Sequence, residues 1–203
     1  MQALPANAAL IVIDVQQAFD QPSWGERNNP DAEANIASLI AFWRASERPV
    51  IHVHHHSAHT DGLFHPSKPG ARVKPEAAPL GGELVILKHV NSAFIGTGLE
   101  QHLRSKAIDT VVIVGITTDH CVSTTARMAG NLGFTSYVVA DATATFERRG
   151  FDGRCYSAEQ MHDTALASVH GEFATVIVSA NLRGSALTTA LAHQGSASAV
   201  MPG

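Results

Sequence analysis

Cys121 stands at the end of the stretch Gly115-Ile-Thr-Thr-Asp-His-Cys121, just after the apolar run Val111–Val114 and just before a helix-patterned segment. A thiol at a strand-to-helix junction meets unpaired amide N–H groups and the positive end of a helix dipole. Both favour the thiolate, which is the reactive form. Two other residues close apolar runs of the same kind: Asp14 after Ala9–Ile13, and Lys88 after Leu84–Leu87. A carboxylate can take the thiol proton and pass it to a leaving group. An ammonium beside the sulfur lowers its pKa further, and the turn before Cys121 offers backbone N–H donors to a developing oxyanion. The chemistry these types can do together is nucleophilic attack on a carbonyl carbon.

Three residues so far apart need a fold to join them. Strand-like apolar runs cover 9–14, 49–54, 84–88, 110–115, 135–140 and 174–178. Helical patterns lie between them. One starts at Asn29-Pro30, with Asn as cap, and carries Ile36, Leu39, Ile40 and Trp43 on one face. Capping-box spacings at Thr97–Glu100 and Ser157–Gln160 mark two more starts, and a helix over 121–132 ends at Gly133. Six strands alternating with helices predict an α/β fold: a doubly wound, mostly parallel six-stranded sheet with helices on both faces. Ligands of such sheets sit beyond the carboxyl ends of the strands. Asp14, His54, Lys88, the 115–121 turn and Asp141 are therefore expected on one edge. The unpatterned segments 57–82 and 142–156, the latter with Arg148, Arg149 and Arg154, read as loops.

The chain has 203 residues, 45% hydrophobic and 16% charged, which suits a single domain with a core over about 8–192 and a flexible tail over 193–203. A net charge of −4 without a basic stripe argues against nucleic acid and anionic membrane as partners. No stretch is long and apolar enough to span a bilayer, and the N-terminal residues lack the pattern of a signal peptide. With two cysteines, the expected setting is cytoplasmic with reduced thiols, Cys155 being non-catalytic. Histidines crowd the run His52-Val-His-His-His-Ser-Ala-His59. On a strand, His52, His54 and His56 share a face and His55 takes the other. Two same-face histidines with a carboxylate can hold zinc, but pocket or loop histidines are the default, and no metal or cofactor is expected. Gln16 is expected to hold the turn after the first strand, and Asp119 to cap the helix after Cys121.

The segments IVIDVQQAF, ILKHVNSAFIGTGLE and VGITTDHCVSTTARMA resemble, in order and spacing, the signature blocks of the isochorismatase-like cysteine hydrolases, over about residues 8–180. The resemblance implies the doubly wound fold and a catalytic triad of Asp14, Lys88 and Cys121. It also implies a cis Ile116–Thr117 bond, with the amides of Thr117 and Cys121 aimed at the oxyanion. Phe19 falls where a pocket aromatic is expected; Trp24, His54 and Phe94 complete the expected pocket. The Asp-Trp-His-like metal block of the nicotinamidases is absent. The implied reaction is cleavage of a C–N bond in a small amide, ureide or carbamoyl compound through a thioester, by a homodimer or homotetramer. A zinc-assisted nicotinamidase-like amidase, an isochorismatase-type hydrolase and a non-enzymatic thiol sensor stand as alternatives.

Overall fold

The structure is a computed structural model and describes residues 4–182. Its centre is β1, Ala9–Ile13, five apolar residues buried on both faces. Beside it lie β2 (Val50–His55), β3 (Leu84–Lys88), β4 (Thr110–Ile116), β5 (Thr135–Ala144) and β8 (Thr175–Ile177). They form one sheet in the order β3-β2-β1-β4-β5-β8, with every pairing parallel. A small antiparallel hairpin pairs β6 (Arg148–Arg149) with β7 (Cys155–Tyr156). The helices are α1 (Ala32–Ala45), α2 (Leu99–Ser105), α3 (Ser123–Asn131) and α4 (Ala158–Val169). No helix among the described residues is long and apolar enough to cross a membrane.

The strand period of two divides the apolar residues into two cores. Ile11, Ile13, Ile51, Val53, Val111 and Ile113 face α2, α3 and α4, against Leu99, Leu103, Ala126, Ala129 and Leu166. Leu10, Val12, Val112 and Val114 face α1, against Ile36, Leu39, Ile40 and Trp43. Trp43 also donates its indole N–H to the Ala8 carbonyl at 2.9 Å. Each such side chain contributes about 1.5–3 kcal/mol by leaving water, so the sheet is a rigid platform for whatever its edge carries.

Several local expectations need correction. The Ser157–Gln160 capping box is present, each side chain accepting the other residue's N–H. The one at Thr97 is not: α2 starts after Gly98, because the Thr97 hydroxyl donates to Ala93 and serves the Leu99 N–H instead. Asn29 does not cap α1 with its side chain. Its amide is drawn away to the Ala140 and Thr143 carbonyls, and α1 follows Asp31. β5 runs four residues past the expected 140, after a register shift against β4. Asp141 thus lies inside the strand, where its carboxylate accepts from the Ser179 N–H and hydroxyl. It is a structural tie and does not join the site. The tail expected over 193–203 lies outside the described residues.

Gly115 shows how tightly β4 approaches β1. Its φ is 128°, and a Cβ there would fall 2.0 Å from the Ile13 carbonyl oxygen. Only glycine fits. The Ile116–Thr117 peptide that follows is cis, as the resemblance implied.

Candidate active site

β1, β3 and β4 deliver three side chains to the same edge. At the end of β1 the chain turns sharply at Asp14, whose φ is 50°, while its N–H donates to the Val53 carbonyl at 2.8 Å. Asp tolerates this left-handed conformation better than most residues. Lys88 is the last residue of β3; strand alternation sends it to the inner side with Ile86, while Val85 and Leu87 face out. Cys121 lies in a π-helical turn, Thr118–Val122, that runs directly into α3. That turn replaces the α-helical first turn expected there.

The three side chains meet. Lys88 Nζ is 2.6 Å from Asp14 Oδ2 and 3.4 Å from Cys121 Sγ. The lysine side chain is 0% exposed and that of Asp14 1%, so this is a buried ion pair with the thiol at its side. Beside it is a cavity of about 120 Å³, lined by Asp14, Phe19, Trp24, His55, Phe64, Asn91, Thr117, His120 and Cys121. A larger, open groove of about 690 Å³ runs past Asp20, Arg27, Glu33 and Lys74. Its charges are already spent on one another, and it does not touch the thiol.

Burial pushes the Asp14 carboxyl up from its ordinary value, against the opposing pull of Lys88. Burial also pushes the Cys121 thiol up, and the charge of Asp14 adds to that, outweighing the help from Lys88. Position at a helix start predicts a depressed thiol pKa; burial and the neighbouring carboxylate reverse this, because both disfavour the thiolate. Both effects favour the S–H form of a sulfur that lies 3.4 Å from Lys88 Nζ.

Of the other residues expected around the site, some line the cavity and others do not. Phe19 and Trp24 line the cavity with ring centroids 5.2 Å apart, joined by Phe64 at 5.0 Å from Phe19. Phe94 does not line it: it is in the core, stacked on Phe134. His54 does not line it either. β2 extends one residue further than expected, so alternation turns His54 with His52 toward the α1 side and brings His55 to the cavity. His52 approaches Glu83 at 2.9 Å, and among the described residues no three His, Cys, Asp or Glu side chains converge as metal ligands. Gln16 holds the turn as expected: its amide donates to the His55 and Ala71 carbonyls and accepts from the His55 N–H. Asp119 is not a helix cap. It accepts from the Thr145 hydroxyl at 2.5 Å and from Arg148 at 3.2 Å, tying the nucleophile turn to the 145–149 segment. Arg148 in turn lies 5.8 Å over the Trp24 ring. His55, Phe64, Asn91 and His120 also line the cavity and are not among the residues expected there. Adjacency to Cys121 marked His120; Phe64 and Asn91 come from loops without a period.

Compared with known proteins, residues 8–181 match the model of the isochorismatase domain. The chain belongs to the isochorismatase family. The isochorismatase family protein YrdC of Bacillus subtilis is 48% identical over 174 residues, spanning 86% of this chain and 93% of its own. An isochorismatase-family protein from Chromobacterium violaceum, solved by crystallography, superposes with a TM-score of 0.89 at 42% identity, over 91% of this chain and 96% of that one. The ureidoacrylate amidohydrolase RutB of Methylobacterium radiotolerans is 29% identical over 209 residues, spanning 85% of this chain and 76% of its own. The six-stranded α/β sheet found here is thus the isochorismatase-family fold.

Proposed function

We propose that this isochorismatase-family hydrolase cleaves the C–N bond of a small amide, ureide or carbamoyl compound through a Cys121 thioester. The observation that carries the reading is the placement of Lys88 Nζ, 2.6 Å from Asp14 and 3.4 Å from Cys121, at the wall of a cavity. The amidohydrolase among the relatives supports the bond type.

In this mechanism Asp14 accepts the Cys121 S–H proton as sulfur attacks the substrate carbonyl carbon. The Lys88 ammonium offsets the charge that appears on sulfur. Thr117 and Cys121, both lining the cavity, supply main-chain N–H groups to the oxyanion. As the tetrahedral species collapses, Asp14 returns the proton to the nitrogen and the C–N bond breaks. Ammonia or an amine leaves. Asp14 then deprotonates water, which attacks the thioester; the carboxylic or carbamic acid departs, and the sulfur is reprotonated. The thiol's raised pKa fits this order of events, since the proton moves to Asp14 during attack instead of being lost beforehand.

The cavity of about 120 Å³ is well below the 300–1,000 Å³ that accommodates drug-sized ligands. A compact substrate with one flat face against Phe19, Trp24 and Phe64 fits it. The reading includes a cytoplasmic homo-oligomer, with its two free cysteines kept reduced. A panel of small amides and ureides assayed for ammonia release tests it: at least one compound is turned over, and Cys121→Ser loses that turnover by at least 1,000-fold, on the order of other catalytic nucleophiles. Turnover undiminished in Cys121→Ser would overturn it.

A further inference from the structure

His55 is the last residue of β2, paired in register with Lys88 across the two strands. Its backbone is gripped on both sides by the buried Gln16 amide, at 2.8 Å to its N–H and 3.1 Å to its carbonyl. Its ring stands edge-on to Phe64, with centroids 5.3 Å apart, and lines the cavity. Its Nδ1 is 3.3 Å from Lys88 Nζ. An ammonium has three N–H donors. Lys88 has three neighbours within donor range: Asp14 Oδ2, Cys121 Sγ and His55 Nδ1.

We infer that His55 is a positioning residue of the catalytic centre, its Nδ1 taking the third Lys88 N–H and so holding the ammonium between Asp14 and Cys121. The inference rests on the hydrolase reading above. An imidazole that accepts at Nδ1 carries its proton on Nε2 and must be neutral. Burial, followed by the charge of Lys88, holds His55 down to about 4, with His89 and His56 acting in the same direction. The ring is therefore an acceptor throughout the neutral range. Without it, one donor of a buried ammonium would have no acceptor, and the ammonium would no longer be held between Asp14 and Cys121. The sulfur would then lose the positive charge that opposes its raised pKa.

The test is alkylation of Cys121 by iodoacetamide from pH 6 to 10, followed by intact mass in a Cys155→Ser background. His55→Asn places an amide oxygen near the Nδ1 position, whereas His55→Gln reaches toward Nε2 and His55→Phe removes every polar atom. The expected result is an Asn variant within about threefold of the parent with the same pH profile. The Gln and Phe variants are expected to react about tenfold more slowly at pH 8, with profiles displaced to higher pH, as for loss of a charged hydrogen bond. If the Phe variant does not fold, the Asn–Gln pair decides. Equal profiles in all four proteins, or an Asn variant as impaired as Gln, would overturn the inference. The hydrolase reading fails separately, through absence of amide turnover, because alkylation needs no substrate.

Discussion

Lys88 and Asp14 form a buried ion pair at 2.6 Å, beneath the thiol of Cys121. Breaking one side of such a pair leaves an uncompensated charge in the protein interior and costs about 3–5 kcal/mol. Lys88→Met is expected to destabilise the fold by roughly that amount at pH 7. The loss should shrink as pH falls, because Asp14 without its partner takes up a proton more readily. Adding Asp14→Asn to Lys88→Met should recover much of the stability but none of the activity. Urea unfolding of the four proteins, as a double-mutant cycle, measures this. An additive cycle would show that the two charges do not support each other.

The pH dependence of hydrolysis follows from the same trio. Burial raises Asp14 above its ordinary value of 3.8, and the mechanism needs the carboxylate form before attack. The acid limb of kcat/KM is thus expected above that of an ordinary carboxylate, with activity gained as pH rises through the raised Asp14 value. Rates measured from pH 4 to 9 locate the limb. An acid limb at or below 3.8 would remove Asp14 as the proton acceptor.

Stability in acid depends on another carboxylate. Burial opposes ionisation of Glu33, but its bonds to Arg27 and Lys74 prevail and hold it at about 2, below its ordinary 4.5. A lowered folded value contributes stability above 4.5 that disappears as pH falls toward 2. At about 1.4 kcal/mol per pH unit the shift corresponds to about 3–4 kcal/mol, which solvent screening of this partly exposed group reduces to about 2–3 kcal/mol. Glu33→Gln should therefore cost stability at pH 7 and flatten the loss between pH 4.5 and 2.5. Thermal unfolding at both pH values shows whether the parent and variant curves converge in acid, as expected, or stay parallel.

The aromatic wall should govern binding more than chemistry. Trp24→Ala and Phe64→Ala each remove a face of the cavity without touching the trio. Each is expected to raise KM about tenfold, of the order of 1.5 kcal/mol of lost apolar contact, with kcat changed less than threefold. A fall in kcat with KM unchanged would mean that these rings position the reacting group instead.

Much of this architecture was legible in the sequence because it rests on period and position. Apolar runs of five or six residues between helical segments gave a parallel sheet, and the parallel sheet put Asp14, Lys88 and Cys121 on one edge. What failed depended on single-residue offsets or on competing hydrogen bonds. One further residue in β2 exchanged His54 for His55 at the cavity. A register shift lengthened β5 and enclosed Asp141. Asn29 and Asp119 looked like caps by spacing, but tertiary partners claimed their side chains. Phe64 and Asn91 reach the cavity from irregular loops, where no period says which way a side chain points. The Cys121 pKa was misjudged because position at a helix start is visible in sequence, whereas desolvation and the approach of Asp14 are not.

The covalent step is tested most directly by mass. The protein is mixed with an amide it turns over, quenched in acid within the steady state, and its intact mass and Cys121 peptide are measured. The account predicts an adduct on Cys121 equal to the amide less ammonia, abolished in Cys121→Ser and accumulating when deacylation is slowed at low pH. Steady turnover with Cys121 unmodified at every quench time, and retained in the Cys121→Ala protein, would contradict it.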